Sequence, residues 1–322
     1  MSETHRPAIG LDLGGTKILA IVVASDGTVL GRALHPTPRE GRAALLDALE
    51  RAVREAASVA GLALTDTAGV GVGVPGVTDA DAGVLILPPN LPADCRGLPV
   101  RDLLHDRLGV PVRVDNDANV AAIGELHFGA GRGTTDMIYV TISTGIGGGV
   151  VVGGRIVRGA GLTAGEVGHM VLAADAPDRC GCGRTGCWEA ISSGTALARQ
   201  AAESIAAGRA AGLAARAASG APIDARLVLE EAEAKDEAAL VILDRAVRFN
   251  GVGFMNLIHI LGPQAIVVGG GLTHAWERLI APAADWALKH CMGVPGSVRI
   301  VRAELGELVG AIGAAALVTV AK

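Results

Sequence analysis

Apolar positions recur at two spacings along this chain, and the changeovers between them mark its elements. Residues 8–23 hold two apolar β-type runs on either side of Asp12-Leu-Gly14-Gly15-Thr16, which predicts a hairpin with the glycines at the turn and Asp12 at the end of the first strand. Residues 40–60 repeat apolar positions three and four apart, the pattern of an amphipathic helix, and Gly61 follows as its stop. Residues 69–79 read as a strand running into a Pro75-Gly76 loop. Gly71, Gly73 and Gly76 match a dinucleotide-binding spacing, but that motif needs a helix to open at its end, and the residues after Pro75 offer a turn. Pro88-Pro89-Asn90-Leu91-Pro92 is a stiff loop presenting one side-chain amide, and residues 99–109 read as a short helix ending at Gly109.

A β-type run from Val110 ends in Asp115-Asn116-Asp117, where a helical pattern begins. Helix capping accounts for one such residue. Three in a row exceed that need, and an Asp at the end of a strand could act as the general base that takes a hydroxyl proton during phosphoryl transfer. Residues 137–152 repeat the plan of 8–23, with Ser143-Thr144-Gly145-Ile-Gly147 at the turn. Two copies of one hairpin plan suggest a duplicated fold, and such loops bring backbone N–H groups close to phosphates. Asp12 adds a carboxylate suited to a hydrated Mg²⁺. Residues 194–248 are alanine-rich with helical apolar spacing, broken at Gly220-Ala-Pro222, and a further helix runs to about Ile260. Ala265–Leu279 then read as strand, Gly269-Gly270-Gly271 turn and helix, an arrangement that commonly admits a nucleotide.

At 322 residues, one large or two medium domains are expected. A hydrophobic content of 50% with 19% charged residues supports a sizeable core. The net charge of -5 argues against nucleic-acid or membrane-surface partners, both of which need a basic patch. The first residues lack the basic-then-apolar pattern of a signal peptide, and the apolar run from Leu308 to Ala321 is too short to span a bilayer. These features predict a cytoplasmic, reducing setting, in which close cysteines serve metals better than disulfides.

Three of the five cysteines, Cys180, Cys182 and Cys187, lie within one short glycine-punctuated stretch, with His169 upstream. Cys180 and Cys182 are too near in sequence to pair comfortably. A Cys3His set is a usual choice for a closed, structural zinc, with no position left for a reactive water. Glu166 and Glu189 bracket the stretch and are not needed as ligands.

Taken in order, these pieces resemble the ROK group of bacterial sugar kinases and repressors across nearly the whole chain. The resemblance rests on Asp12-Leu-Gly-Gly-Thr16, Pro75-Gly76, Asn90-Leu91, Asn116-Asp117, Ser143–Gly149, Glu166-x-x-His169, Cys180-x-Cys182-Gly-x-x-Gly-Cys187-x-Glu189 and Gly269–Gly271. It implies the actin-like, ribonuclease-H-type duplicated α/β fold, with two domains and an interdomain cleft. The expected division is a small N-terminal domain of residues 1–117 plus 308–322 and a large domain of 118–307 carrying the zinc stretch 166–189. The implied activity is ATP- and Mg²⁺-dependent phosphorylation of the 6-hydroxyl of a hexose, glucose first. By matching position, Asp117 would be the base, and Gly76, Asn90, Asn116, Glu166, His169 and Glu189 would ring the sugar. Asp12, Gly14, Gly15, Thr16, Lys17, Thr144 and Gly145 would surround the phosphates and metal, and Gly269 and Gly270 would flank the nucleoside. A homodimer or homotetramer would be usual.

There is one departure from the family pattern. Many glucose-specific relatives carry an aromatic residue shortly after the Asn-Leu pair, where this chain has Pro92-Ala-Asp94-Cys95-Arg96. N-acetylmannosamine, fructose, mannose and allose therefore remain open as acceptors, and polyphosphate as donor. A ROK-type regulator is the other class. Its DNA-binding module would have to precede the first hairpin, which here begins within the first dozen residues.

Overall fold

The computed structural model describes residues 6–294 and 296–320. Residues β1 (Ala8–Leu13) and β2 (Lys17–Val23) form the expected hairpin, and β3 (Val29–Pro36) extends it antiparallel. Helix α1 (Arg42–Val59) follows, its apolar stripe of Leu45, Leu49, Ala52, Val53 and Ala56 fully buried. Strand β4 (Val70–Val74) pairs parallel to β1, the short β5 (Val77–Asp79) and β6 (Val84–Leu87) pair with each other, and α2 (Val100–Leu108) ends at Gly109 in the left-handed conformation. Strand β7 (Val112–Asn116) pairs parallel to β4 and runs directly into α3 (Asp117–Phe128). The first sheet is ordered β3-β2-β1-β4-β7.

The plan then repeats. Strands β8 (Met137–Ile142), β9 (Ile146–Val152) and β10 (Arg155–Val157) precede a short α4 (Trp188–Ser192) and helices α5 (Gly194–Ala206), α6 (Ala211–Ala218), α7 (Ala225–Glu233) and α8 (Glu237–Leu261). Strand β11 (Ala265–Gly269), helix α9 (Ala281–His290), β12 (Arg299–Arg302) and α10 (Val309–Thr319) complete the chain. The second sheet is ordered β10-β9-β8-β11-β12, the same arrangement of hairpin strands followed by later strands as in the first. Two details differ from expectation. The helix reaching Ile260 begins at Glu237, so the alanine-rich region ends inside it. The turn after β11 also does not open straight into a helix. A 3-10 segment at Gly271–Ala275 and a π segment at Trp276–Ile280 come first, next to Pro282, whose missing N–H removes the i→i−4 bond that would hold an α register.

The chain divides into two compact units. The first runs through Tyr139, takes Gly149–Gly165 and resumes at Ala303; the second is Val140–Gly148 with Glu166–Arg302. This differs from the expected break after residue 117. Helix α3 is buried on nearly every face, from Ala118 to Leu126, and packs with α10 inside the first unit. The buried Glu125 carboxylate accepts N–H bonds from Ala130 (2.8 Å), Glu304 (3.2 Å) and Leu305 (2.9 Å), which ties the returning chain to α3.

Packing in the first unit depends on bare backbone. A Cβ on Gly10 of β1 would lie 1.8 Å from the Ala311 carbonyl oxygen, one on Gly71 of β4 would lie 1.7 Å from that of Ala314, and one on Gly313 of α10 would lie 1.7 Å from that of Val120 in α3. In the second unit Trp188 is the anchor: it is fully buried, meets Phe254 edge-on at 5.6 Å, and donates its indole N–H to Asn250 Oδ1 at 2.8 Å. Among the described residues no helix is long and apolar enough to cross a membrane.

Gly71→Ala is expected to destabilise the protein by about 1–3 kcal/mol or more, because backbone atoms cannot give way to the new methyl. Gly161→Ala, whose methyl meets only the Thr163 hydroxyl at 3.5 Å, is expected to stay within about 0.5 kcal/mol of the parent. Denaturant midpoints measure both, and an unmoved midpoint for Gly71→Ala would show that α10 does not seat on the sheet as described.

Candidate active site

The predicted site residues fall into two sets, one in each unit. In the first unit the hairpin turn is held by Gly14 N–H donating to the Lys17 carbonyl (2.9 Å) and Thr37 Oγ1 donating to the Gly14 carbonyl (2.7 Å). Arg39, which the sequence reading did not single out, donates to the carbonyls of Gly15 (2.8 Å) and Asn90 (3.2 Å). It thereby joins the phosphate-type turn to the loop carrying the exposed Asn90 amide; an arginine in a loop gives no sequence signal of this role. Gly76 turns with φ at 83°, and a side chain there would strike the Leu87 carbonyl. Asn116 donates its amide N–H to the Gly76 carbonyl at 3.0 Å, while its Oδ1 caps α3 by accepting from Ala118 (2.9 Å) and Asn119 (3.2 Å). Gly15, Asn90, Gly76 and Asn116 are thus linked in one neighbourhood. Asp117 is the first residue of α3 and is exposed, its carboxylate accepting the Ala118 N–H at 2.8 Å.

The run of three polar residues at this corner divides its labour. Asn116 is the cap. Asp115 is buried and takes Arg158 Nε at 3.0 Å and Nη2 at 2.5 Å. Asp117 is the carboxylate presented to solvent.

Asp12 lies in β1 with its carboxyl against Gly310 near the start of α10, where a Cβ would come within 2.7 Å of it. Burial raises its pKa above the usual 3.8, and the charge of Lys17 only partly opposes this. A desolvated carboxylate with so little compensation has spare capacity for a cation, the chemistry expected of a Mg²⁺-facing group.

In the second unit the Ser143–Gly145 turn meets the cysteine stretch. The Ile146 N–H donates to Glu189 Oε2 at 2.9 Å, and Glu189 Oε1 lies 3.8 Å from Cys180 Sγ. Glu189 is therefore engaged by the turn as well as placed beside the cluster, whereas sequence reasoning left it unattached. Gly145 sits against the same carboxylate: a Cβ would come within 2.4 Å of Oε2 and force the Glu189 side chain to shift. Glu166 Oε2 is 3.9 Å from His169 Nε2, so Glu166, His169, Glu189 and the Thr144-Gly145 turn occupy one region. Gly270 packs against the Ile142 carbonyl and Thr141, and Gly271 against Ser143.

The metal-type donors of His169, Cys180, Cys182 and Cys187 all lie within 4.8 Å of one another. Cys182 and Cys187 Sγ are 3.7 Å apart, and Cys180 Sγ is 3.5 Å from His169 Nδ1. The edges of a tetrahedron with ordinary Zn–S and Zn–N bonds are about 3.8 Å for S···S and about 3.6 Å for S···N. The donor set therefore fits a structural zinc, and His169 would use Nδ1, leaving Nε2 directed toward Glu166. Burial pushes the Cys180 thiol up to about 12, while the Arg184 backbone N–H holds Cys182 below its usual value. The base of the knuckle is fixed by Asp178. Burial pushes its pKa up, but the Arg245 and Arg199 guanidiniums, at 2.5 Å each, outweigh that and hold it below the usual range. Its carbonyl accepts the Gly186 N–H at 2.9 Å.

A cavity of about 380 Å³ in the second unit is lined by Ser143, Thr144, Thr195, Asp224, Arg226 and Gly271, among others. Thr195, Asp224 and Arg226 were not legible beforehand, because each lies at the start of an alanine-rich helix with no motif of its own. The hydroxyls, the N-terminus of α5 and a cationic side chain suit a phosphorylated ligand.

Two five-stranded sheets of one strand order, each carrying a glycine turn between its hairpin strands, define an actin-like ATPase fold. Residues 8–321 match the ROK family model, and the chain belongs to the ROK family. It is 34% identical over 279 residues to a glucokinase of Halalkalibacterium halodurans, covering 85% of this chain and 83% of that relative. The ROK hexokinase from Thermus thermophilus aligns with a TM-score of 0.80 at 36% identity over 96% of each chain. A ROK family glucokinase from Streptomyces griseus, solved with glucose and AMPPNP, aligns with a TM-score of 0.79 at 34% identity, covering 97% of this chain and 98% of that one.

Because folding raises the pKa of Asp12, the ionised group costs stability at neutral pH, and that cost vanishes below about pH 3.8, where the carboxyl is protonated folded or unfolded. Asp12→Asn is accordingly expected to raise the melting temperature of the ligand-free protein at pH 7, with the gap closing as the pH falls below 3.8. Thermal melts across that range check the sign; a lower melting temperature at pH 7 would mean that Lys17 compensates the charge fully.

Proposed function

We propose that this protein is an ATP-dependent hexose kinase that transfers the γ-phosphoryl group to the 6-hydroxyl of a hexose, with glucose as the first acceptor. Family membership and the glucokinase relatives support the class. The observation that carries the reading is the exposed Asp117 carboxylate on a rigid strand–helix corner, linked through Asn116 to Gly76, with Arg39 holding the Gly15 turn to the Asn90 loop.

In this reading Asn90, Asn116, Glu166, His169 and Glu189 hydrogen-bond the sugar hydroxyls, a task that needs convergent carboxylates and amides. Asp117 accepts the proton of the 6-hydroxyl as that oxygen forms a bond to the γ-phosphorus. The bond from the γ-phosphorus to the bridging oxygen breaks, and ADP leaves with the electron pair. The turns at Gly14–Thr16 and Thr144-Gly145, with Lys17, steady the phosphates, and Gly269 and Gly270 flank the nucleoside. Asp12 would hold a Mg²⁺ that neutralises phosphate charge. His169, Cys180, Cys182 and Cys187 would hold a zinc that braces the knuckle and orients His169 through its metal-bound nitrogen. The reaction is assigned to the cytoplasm.

The aromatic-free segment after Asn90-Leu91 has a structural duty that bears on sugar choice. Asp94 Oδ2 accepts the Arg42 N–H at 2.9 Å and so caps α1, and Cys95 is fully buried. The segment is thereby fastened to the start of α1, and it offers a sugar no aromatic face.

A coupled assay over glucose, mannose, fructose, allose and N-acetylmannosamine, with ATP or polyphosphate as donor, tests the class and ranks acceptors; no phosphorylation of any of them overturns it. Asp117→Ala is expected to lower kcat by about 10³–10⁴-fold with sugar still bound by calorimetry. Cys182→Ser, or chelation, is expected to lower thermal stability and sugar affinity together. One zinc per chain is expected by elemental analysis, and metal-free purified protein would remove zinc from the account.

A further inference from the structure

We propose that Arg158 is a positioning residue for phosphoryl transfer, acting through Asp115 on the corner that carries Asn116 and Asp117. The inference rests on the reading of Asp117 as the base. It starts from an odd placement. Asp115 is 1% exposed on the end of β7, a place where a carboxylate brings no benefit to a hydrophobic sheet. Every acceptor position of that carboxylate is used. Oδ2 takes the Arg158 fork through Nε at 3.0 Å and Nη2 at 2.5 Å, and Oδ1 takes the Asn119 amide at 2.9 Å and the Asn116 backbone N–H at 2.8 Å.

The two residues that Oδ1 holds are the ones that set the direction of α3. Asn116 is its N-cap, and Asn119 supplies one of the N–H groups that Asn116 caps. Asp117 sits between them in sequence, so its Cα–Cβ direction follows from how these two are fixed. Arg158 comes immediately after β10, more than forty residues downstream but within the same unit. An ion pair with one partner buried and the other 32% exposed contributes little net stability relative to apolar residues of the same shape; what it contributes is one fixed geometry, since a planar fork on one carboxylate oxygen admits few alternatives. Arg158 also lines a cavity of about 560 Å³ in the first unit, together with Ile123, Leu126, Arg155 and Ile156. The Arg158 side chain is 32% exposed, so the space it would vacate beside Asp115 is open to a small solute.

That access makes the proposal testable by chemical rescue. Arg158→Ala is expected to fold, to weaken hexose binding by less than it lowers kcat, and to lose kcat on the order of 10²-fold, the size of loss that follows a small misplacement of a reacting group. Methylguanidinium at millimolar concentration is expected to restore at least tenfold of that kcat with saturation, and methylammonium, which lacks the planar fork, is expected to restore much less. Should Arg158→Ala not fold, Arg158→Lys serves, with an expected kcat loss of about tenfold at unchanged melting temperature. A kcat within threefold of the parent in the folded variant, or a loss that methylguanidinium does not reverse, overturns the positioning role. Asp117→Ala measured alongside separates the two claims. If it stays active, the base assignment fails; if it is inactive while Arg158→Ala is fully active, only the inference about Arg158 fails.

Discussion

The first unit is organised by the close approach of α10 to two strands and one helix. Backbone meets backbone at Gly10, Gly71 and Gly313 with no side chain between. This seam has no tolerance for added volume, since interiors packed to this density transmit strain instead of absorbing it. Its position also sets the chemistry nearby. With α10 seated, Gly310 faces the Asp12 carboxyl, and α3 is pressed from behind, so that its first residues project from the end of β7. A stability feature and a placement feature are here the same contact.

The second unit solves a different problem. Its cysteine stretch is mostly loop, with α4 only five residues long, and loops of that kind lack the apolar area to order themselves. Three devices substitute for a core. Trp188 plugs the stretch into α8, Asp178 receives two arginines from α5 and α8, and four metal-type donors converge within 4.8 Å of one another. Glu189 completes the arrangement by linking the knuckle to the Ser143–Gly145 turn. The knuckle and the Ser143–Gly145 turn are therefore mechanically joined.

Much of this was readable from the sequence because the informative pieces are local. A pair of β-type runs around Gly14-Gly15 leaves few options other than a hairpin, and the spacing of Leu45, Leu49, Ala52 and Ala56 places a helix within two residues of its observed bounds. The donor quartet was legible for the same reason, since ligand type and spacing carry the geometry. The unit boundary was not. Helix α3 is buried on nearly every face, its apolar residues spread around it, so its periodicity cannot say which body it joins, and only its packing on α10 decides. The partners of Glu189, the reach of Arg39 and the cap that Asp94 supplies to Arg42 join residues distant in sequence, and nothing in one-dimensional spacing encodes them. Among the glutamates, Glu125 reads as an ordinary helical residue until Glu304 and Leu305 are found donating to it.

That last contact has a consequence for how the chain is made. The first unit receives α10 only after the whole of the second has been synthesised, and the Glu125 carboxylate has no backbone from residues 304 and 305 to bind until then. During translation β1 and β4 must wait with an apolar face uncovered, and a contact of such long sequence separation closes late. The emerging polypeptide is thus exposed to aggregation and to proteases along β1 and β4 until α10 has been made and can cover them.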